Sequence, residues 1–271
     1  MEKDSLAIVI PVYNEETCIE KVILDWNDHL KSLGIPNKII VVDDGSLDNT
    51  QSILNSLTKD LPNLEILYQE NQGHGTAIKM GYLHAIYSKT HYIFQTDSDN
   101  QFSPLDFEKL WSYRKKSNAI FGYRFERKDT FLRKMITFFM KKRVYENFEV
   151  NIPDPNIPYR LFESSFLKDL LSVLEPGLFA PNIFLSILSF KVDPNCPSVP
   201  VSHFDRENSS PKLVHWRLLK GCLKSFWDLT IFSYQIEKKL LFLKEKIKDR
   251  EDKFKEPREF DIPVNSDKDA A

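Results

Sequence analysis

The chain has 271 residues, of which 42% are hydrophobic, so it is long enough to bury a core in one large domain or two small ones. Its formal net charge of -2 gives no reason to expect nucleic acid as a partner. The three cysteines, Cys18, Cys196 and Cys222, are odd in number and widely spaced, which argues against a disulfide framework or a zinc site and favours a reducing compartment.

Residues 1 to about 125 alternate between strand and helix patterns. Continuous apolar runs predict buried strands at residues 6–10, 39–42, 64–68 and 92–95, with a short one at 119–121. Apolar residues at helical spacing predict helices from Ile19 to Gly34, around Ile53, and from Gly73 to about Ser88. Strands separated by such helices imply βαβ units, and therefore an α/β fold with a mostly parallel sheet and a ligand crevice at the carboxyl ends of the strands.

Polar and acidic residues follow three of the predicted strands, at 11–15, 43–46 and 97–101. Acidic side chains at one sheet edge repel each other unless a cation or hydrogen-bond donors compensate, so we expect a binding site there. The alternating carboxylates of Asp97 and Asp99 suit Mg²⁺ or Mn²⁺ held with a ligand's phosphates. The structural alternatives are a polar turn at 97–99, a turn that requires Gly45, and a helix cap at Ser46 or Asp48.

Four motifs in this half resemble those of the inverting family 2 glycosyltransferases. They are IVIPVYNE at 8–15, IVVDDGSLDNT at 40–50, NQGHGTA at 71–77 and DSDNQFSP at 97–104. Each motif alone is unspecific, but four in this order at these spacings are specific. Gln101 and Pro104 make the chain most similar to the dolichyl-phosphate-mannose synthase and bacterial polyprenyl-phosphate glycosyltransferase branch. The resemblance covers about residues 5–125, returns in pieces as far as about 213, and implies the GT-A fold, a Rossmann-like domain that binds nucleotide sugars.

The resemblance also implies roles for single residues in a site for a UDP- or GDP-sugar. The base and ribose would be framed by Pro11, Tyr13, Glu15 and Asp44, and Asp43 would contact the donor or form the turn. Mg²⁺ or Mn²⁺ would be held against the diphosphate by Asp97, Asp99 and Gln101, where the cation stabilises the departing nucleoside diphosphate. Gly73, Ser98 and Arg124 complete this predicted site. The alternatives are a packed aromatic for Tyr13 and a solvated surface residue for Arg124.

Residues 126–212 form the predicted acceptor half of a catalytic domain that spans 1–212. The proline-rich stretch 151–160 predicts a loop, and DPNIPYRL at 154–161 is similar to a segment of the polyprenyl-phosphate branch, with Pro158 in place of its glycine. The resemblance implies that Asp154, Arg160 and Arg206 are catalytic. Arg124, Arg160 and Arg206 would bind the phosphate of a lipid acceptor, whereas Asp154 would be the base for a hydroxyl acceptor.

Two further segments are amphipathic. Basic and aromatic residues alternate over 124–143 and again over 213–250, and each pattern fits either a membrane interface or a helix packed on the catalytic domain. In the packed alternative, the residues buried from the second segment are Trp216, Leu219, Leu223, Phe226 and Trp227. The charged residues 251–271 predict a disordered tail.

The N-terminus has no signal-peptide profile, and no apolar run approaches the roughly 20 residues of a spanning helix. We therefore expect a cytoplasmic protein, with peripheral contact at the cytoplasmic face of a membrane as a further expectation. The predicted function is metal-dependent, inverting transfer of a sugar from a nucleoside diphosphate to a polyprenyl phosphate. The alternatives are a glycosyltransferase that acts on a saccharide hydroxyl of a cell-surface glycan, and a nucleotide-binding module without catalysis.

Overall fold

The structure is a computed structural model that describes residues 4–125, 131–175, 177–178, 180–205 and 214–255. Within these ranges the side chains are described except at 131–134, 136, 214–223, 251 and 253–255. The strands are β1 (Leu6–Val12), β2 (Asn37–Asp43), β3 (Leu64–Tyr68), β4 (Tyr92–Gln95), β5 (Ala119–Arg124), β6 (Arg160–Glu163) and β7 (Ser198–Val201). The helices are α1 (Ile19–Ser32), α2 (Thr50–Leu57), α3 (His74–Tyr87), α4 (Phe107–Trp111), α5 (Phe131–Phe148), α6 (Ser164–Ser172), α7 (Pro181–Val192) and α8 (Val214–Lys255).

The strands form one sheet in the order β3-β2-β1-β4-β6-β5-β7. Neighbouring strands are parallel from β3 to β4 and again between β5 and β7, and only β6 runs antiparallel to its neighbours. The predicted α/β class with a mostly parallel sheet is confirmed. Because β2, β1 and β4 are adjacent and parallel, the loops that follow them meet at one edge of the sheet, as the sequence predicted.

Both faces of the sheet are covered by helices, which explains why β1 is a continuous apolar run. Helices α1, α2 and α4 pack on one face, and α3 and α5–α8 pack on the other. Helix α3 lies especially close to β1, because a Cβ at Gly81 would stand 2.4 Å from Val9 Cγ1. The predicted donor and acceptor halves share this sheet: β6, from the second half, lies between β4 and β5 of the first.

Helix α8 packs one face against the core and leaves the other face exposed. The buried stripe recurs at helical spacing and consists of Leu229, Phe232, Ile236, Leu240, Leu243 and Ile247. Of the residues that the packed alternative expects to be buried, Phe226 packs against the core, but Trp227 is 68% exposed, so that alternative is wrong for Trp227. The side chains of Trp216, Leu219 and Leu223 lie outside the described residues.

Ion pairs and hydrogen bonds from three basic side chains fasten α8 to α6. Arg250 Nη1 lies 3.0 Å from Asp169 Oδ2, Lys246 Nζ lies 3.5 Å from Asp169 Oδ1, and Lys239 Nζ donates to the Val173 carbonyl at 2.7 Å. The helix runs to Lys255, five residues beyond the predicted segment, and residues 256–271 of the predicted tail lie outside the described residues. In the described part of the chain, no helix combines the length and the apolar composition needed to cross a membrane.

Candidate functional site

A cleft of about 870 Å³ lies where the loops after β1, β2 and β4 meet the N-terminus of α3. Most of the predicted donor-site residues line it: Pro11, Tyr13, Glu15, Asp44, Gly73, Asp97, Ser98 and Asp99. Tyr13 is 42% exposed, so the alternative of a packed aromatic is wrong. Three predicted members, Asp43, Gln101 and Arg124, do not line the cleft.

The loops after β1 and β2 are held together by hydrogen bonds. The Asn14 amide N donates to Ser46 Oγ at 2.9 Å, the Leu47 N donates to Asn14 Oδ1 at 2.7 Å, and the Glu15 N donates to Thr50 Oγ1 at 2.9 Å. Further along, the Glu16 N donates to Asp48 Oδ2. Burial alone would raise the pKa of Asp48, but hydrogen bonds from Thr50 and Glu16 lower it. These contacts fix the wall of the cleft that carries Tyr13 and Glu15.

Asp43 and Asp44 have different environments. Asp43 is fully buried and accepts from Ser46 N, Ser46 Oγ and Gln51 Nε2, so of the two predicted roles the structure places it in the turn. Asp44 lies at the cleft, where it accepts from Gln69 Nε2 at 2.6 Å and from the Gln72 and Gly73 amides at 2.8 and 2.9 Å. It therefore anchors the glycine-containing segment before α3.

The loop after β4 places two carboxylates in the cleft, and they differ in their partners. Asp99 Oδ1 accepts from the Gln101 N at 3.3 Å. Among the described residues, Asp97 Oδ1 is buried without a hydrogen-bond partner, and His74 Nε2 lies 3.8 Å away. Burial raises the pKa of Asp97 to about 6, while His74 opposes the rise and Asp99 adds to it. Oδ1 of this carboxylate is therefore buried without a hydrogen-bond donor among the described residues, while the side chain as a whole is 26% exposed and is partly compensated by His74.

The charge of the cleft is strongly negative. Its described lining contains five carboxylates, from Glu15, Asp44, Glu70, Asp97 and Asp99, and the one basic side chain in that lining is His74. In the described part of the chain, no group of three or more His, Cys, Asp or Glu side chains is placed to hold a metal ion. A hard cation such as Mg²⁺ needs only one or two carboxylates when phosphates and waters complete its ligands, so Asp97 and Asp99 fit a shared cation.

Gln101 belongs to a contact between the Asp97–Asp99 loop and the segment after β7. Its Nε2 donates to the Phe204 carbonyl at 2.9 Å, and its own carbonyl accepts from the Phe204 N at 2.9 Å. The adjacent His203 ring lies 5.2 Å from the Phe102 ring. His203 therefore packs against an aromatic ring at this contact. The predicted Arg206 lies outside the described residues.

On the acceptor side, the structure pairs two predicted residues with each other. Arg124 Nη1 lies 3.0 Å from Asp154 Oδ2, and their side chains are 14% and 6% exposed. Arg124 is therefore not a solvated surface residue. Arg160 is fully buried, and its guanidinium donates to the carbonyls of Ile157 and Asn182. The prediction that Arg160 contacts phosphate is corrected, because its guanidinium is enclosed and instead holds the loop that carries Asp154.

Several residues at the cleft were not predicted from the sequence. His74 stood inside a recognised motif but received no role, although it faces Asp97 at the N-terminus of α3. Leu47, which is 87% exposed, and Glu70 were also missed. Cys18 connects the two sides of the site, because its Sγ lies 3.3 Å from both Glu15 Oε2 and the Ser98 carbonyl. His74 and Leu47 lie inside recognised motifs and Glu70 directly precedes one, and this position was the available signal.

The family model for glycosyl transferase family 2 matches residues 7–171, which is more than half of the chain. The chain belongs to this family. The match confirms the family predicted from the four motifs, and it also spans the boundary between the two predicted halves.

Relatives of this family 2 member include undecaprenyl-phosphate 4-deoxy-4-formamido-L-arabinose transferases, which agrees with the predicted branch. The protein from Pseudomonas fluorescens (strain Pf0-1) is 26% identical over 217 residues, which cover 79% of this chain and 62% of that protein. The one from Edwardsiella ictaluri (strain 93-146) is 25% identical, with 79% and 64% covered. This chain therefore spans about three fifths of the length of these transferases. An uncharacterised protein of Methanocaldococcus jannaschii is 32% identical over 60% of this chain and 73% of that protein.

Solved structures with the same architecture include glucosyl-3-phosphoglycerate synthase from Mycobacterium tuberculosis. Its complex with UDP has a TM-score of 0.65 at 16% identity and covers 85% of this chain and 80% of that chain. Its complex with Mn²⁺, UDP and glucosyl-3-phosphoglycerate has a TM-score of 0.63 at 17% identity, with the same coverage. At these identities the likeness shows the fold alone, and the predicted GT-A fold is confirmed.

The close approach at Gly45 can be tested with two alanine variants. A Cβ at Gly45 would stand 2.9 Å from the Asn71 N, and its φ of +72° already disfavours a side chain. Gly34 has a similar φ of +62° but no atom within 4 Å of its Cβ position. We expect Gly45→Ala to lower the free energy of unfolding by about 2–4 kcal/mol and Gly34→Ala by about 1 kcal/mol, measured by urea unfolding. Equal losses would contradict a backbone contact at Gly45.

Proposed function

We propose that this chain transfers a sugar, with inversion, from a UDP- or GDP-sugar to a polyprenyl phosphate with the help of a divalent cation. The observation that carries the proposal is the acidic cleft at the sheet edge, in which the buried Asp97 Oδ1 has no hydrogen-bond partner among the described residues. The family, the undecaprenyl-phosphate transferases among the relatives, and the UDP and Mn²⁺ of the solved neighbours support the same function.

In this proposal the nucleoside lies against the wall formed by the loops after β1 and β2. Tyr13 offers an exposed ring for stacking on the base, with Leu47 beside it in the lining. The Glu15 carboxylate accepts hydrogen bonds from ribose hydroxyls. Asp44 already accepts three hydrogen bonds from residues 69–73, so it acts on the nucleoside chiefly by holding the Gly73 segment in place.

The diphosphate of the donor would lie between the N-terminus of α3 and the Asp97–Asp99 loop. A diphosphate is an anion, and a cleft lined by five carboxylates repels it unless positive charge is supplied. Asp97 and Asp99 would hold a Mg²⁺ or Mn²⁺ ion, which when bound neutralises charge on the departing nucleoside diphosphate. His74 points toward the same space and is a further donor for the phosphate oxygens.

The acceptor would be positioned by the Arg124 and Asp154 pair. A polyprenyl phosphate is already an anion at neutral pH, so it needs placement and charge compensation rather than a base. Arg124 Nε has no hydrogen-bond partner among the described residues, and we assign this donor to a phosphate oxygen; because Nε is buried, the acceptor has to displace neighbouring groups to reach it. Asp154 orients Arg124 through the 3.0 Å ion pair. Arg160 supports the Asp154 loop through its hydrogen bonds to the Ile157 and Asn182 carbonyls. The family resemblance keeps Arg206 as a candidate to bind the acceptor phosphate.

Peripheral contact with a membrane at its cytoplasmic face belongs to the proposal, because the acceptor is a lipid. Helix α8 exposes Trp227, Ile231 and Tyr234 on the face opposite its buried stripe, and α5 exposes Phe138 and Phe139. Aromatic and basic side chains together favour the interface of an anionic bilayer. Exposed basic residues on these two helices include Lys141, Lys142, Lys224 and Lys238.

The donor and cation roles are tested by nucleotide binding and by transfer. We expect UDP or GDP to bind with Mn²⁺ and to lose at least about 100-fold in affinity in excess chelator, because the carboxylates then repel the diphosphate. The affinity for the free nucleoside, which has no phosphate, should change little in excess chelator. Transfer from a panel of UDP- and GDP-sugars to polyprenyl phosphate should vanish in Asp97→Asn and persist in the exposed control Asp60→Asn. Sugar transfer that persists in excess chelator would contradict the role of the cation. Nucleotide binding without transfer to any acceptor would favour a nucleotide-binding module.

The acceptor role is tested by breaking the same ion pair from either side. If Arg124 binds the acceptor phosphate, Arg124→Gln should reduce transfer more than Asp154→Asn, which we expect to lower kcat by less than about 100-fold. A base at Asp154 would reverse this order. In that case Asp154→Asn would lower kcat by several orders of magnitude while the donor affinity stays unchanged. The acidic limb of the pH profile would also disappear, and a saccharide hydroxyl would become the better acceptor class.

Membrane contact is tested by flotation with vesicles of zwitterionic and anionic lipids. We expect the protein to float with anionic vesicles at low salt and less at high salt, since each basic side chain near the surface contributes about 1 kcal/mol. Trp227→Asp with Tyr234→Asp should reduce the floating fraction about ten-fold, while Tyr87→Asp, an equally exposed aromatic on α3, should not. Protein that stays in the soluble fraction at low salt would contradict membrane contact without touching the transfer reaction.

A further inference from the structure

A buried carboxylate behind the cleft is linked to the donor-binding wall through one serine. Asp43 is fully buried, and its Oδ1 accepts the Ser46 hydroxyl at 2.5 Å. Ser46 Oγ in turn accepts the Asn14 N–H at 2.9 Å, and Asn14 Oδ1 accepts the Leu47 N–H at 2.7 Å. None of Asp43, Ser46 and Asn14 lines the cleft.

The direction of these hydrogen bonds follows from the chemistry of the groups. An ionised carboxylate can only accept, so the Ser46 hydroxyl proton points to Asp43. The lone pairs of Ser46 Oγ are then available for the Asn14 N–H, which can only donate. Hydrogen bonds to a charged acceptor are stronger than those between neutral groups, so the charge of Asp43 strengthens the contact to Asn14 through the hydroxyl.

Asn14 is the place where this contact matters for the cleft. Its φ of +54° is a left-handed conformation, which costs free energy in a residue other than glycine and persists only where the surroundings hold it. Its neighbours in the chain, Tyr13 and Glu15, both line the cleft. The backbone turn at Asn14 therefore decides where the ring and the carboxylate lie relative to each other.

We propose that Asp43, Ser46 and Asn14 form a positioning relay, in which the buried charge of Asp43 acts through the Ser46 hydroxyl to hold Asn14 left-handed and so places Tyr13 and Glu15 on the nucleoside. The three are positioning residues, because their contacts are with the loops and not with the cleft. The inference rests on the proposed function and deepens it by separating what orders the nucleoside subsite from what binds the diphosphate.

The relay is tested by removing the Ser46 hydroxyl and comparing the binding of a nucleoside monophosphate with that of a nucleoside diphosphate. Ser46→Ala should weaken the binding of UMP or GMP about five- to ten-fold, because the Asn14 N–H loses its acceptor and Asp43 loses a donor. The binding of UDP or GDP with Mn²⁺ should weaken by the same factor, since the variant leaves the diphosphate contacts unchanged. Ser46→Thr, which keeps the hydroxyl, should restore binding. The matched control is Ser189→Ala, an equally buried hydroxyl on α7 that donates to the Leu185 carbonyl at 2.8 Å.

A second pair of variants separates conformation from hydrogen bonding. Asn14→Gly keeps easy access to the left-handed conformation but loses the Oδ1 acceptor, whereas Asn14→Ala loses both, so the alanine variant should bind the monophosphate more weakly. This pair carries the test if Ser46→Ala fails to fold in thermal unfolding.

The opposing outcomes are distinct. Monophosphate affinity within two-fold of wild type in a folded Ser46→Ala would overturn the relay, and so would a change confined to the diphosphate nucleotides. Failure of the wild-type protein to bind any nucleotide would overturn the relay and the proposed function together.

Discussion

Negative charge at the carboxyl edge of the parallel strands is the constraint on which the rest of this structure depends. Each acidic residue placed there must be compensated, because burial disfavours a charge that has no partner. Asp43 is compensated by the amide and hydroxyl of Ser46 in its own loop, Asp44 by amides of the segment after β3, and Asp154 by Arg124. At Asp97 the compensation is weaker: His74 Nε2 lies 3.8 Å away, and Oδ1 is buried without a hydrogen-bond donor among the described residues. The protein thus neutralises the acids that build the site internally and leaves positive charge to be supplied at Asp97.

The same edge holds the backbone at positive φ, a conformation that is costly for residues other than glycine. Asn14 and Asn100 adopt positive φ in the loops after β1 and β4, and Gly45 and Gly73 do so on either side of the Asp44 carboxylate. The two other described residues with positive φ that are not glycine, Lys89 and Glu149, lie within two residues of the ends of α3 and α5, where the left-handed conformation is a common way to end a helix. Strain away from helix ends therefore lies in the loops that shape the cleft, which fits a site that is ordered before its ligand arrives.

The strands, the parallel sheet and most of the cleft lining could be predicted because each depends on local pattern. A buried strand followed by polar residues marks its own carboxyl end, and four such motifs in order specified the family. The fate of individual side chains could not be predicted in the same way. Nothing in the sequence distinguishes Asp43, which turns inward, from Asp44 beside it. The pairing of Arg124 with Asp154 joins residues 30 positions apart, and the enclosure of Arg160 depends on the packing of α7, so both required the folded chain.

Helix α8 shows why periodicity alone left two locations open. It carries two apolar stripes, one through Leu229, Phe232 and Ile236 and another through Trp227, Ile231 and Tyr234, and both recur at helical spacing. The choice between them is made by partners from distant parts of the chain: the Phe148 and Phe184 rings pack against Phe232, and Asp169 on α6 pairs with Lys246 and Arg250. The two predicted alternatives are consequently not exclusive. The stripe that faces the core fastens the helix to the rest of the fold, and the stripe through Trp227 and Tyr234 stays exposed, which is where the proposed membrane contact would form.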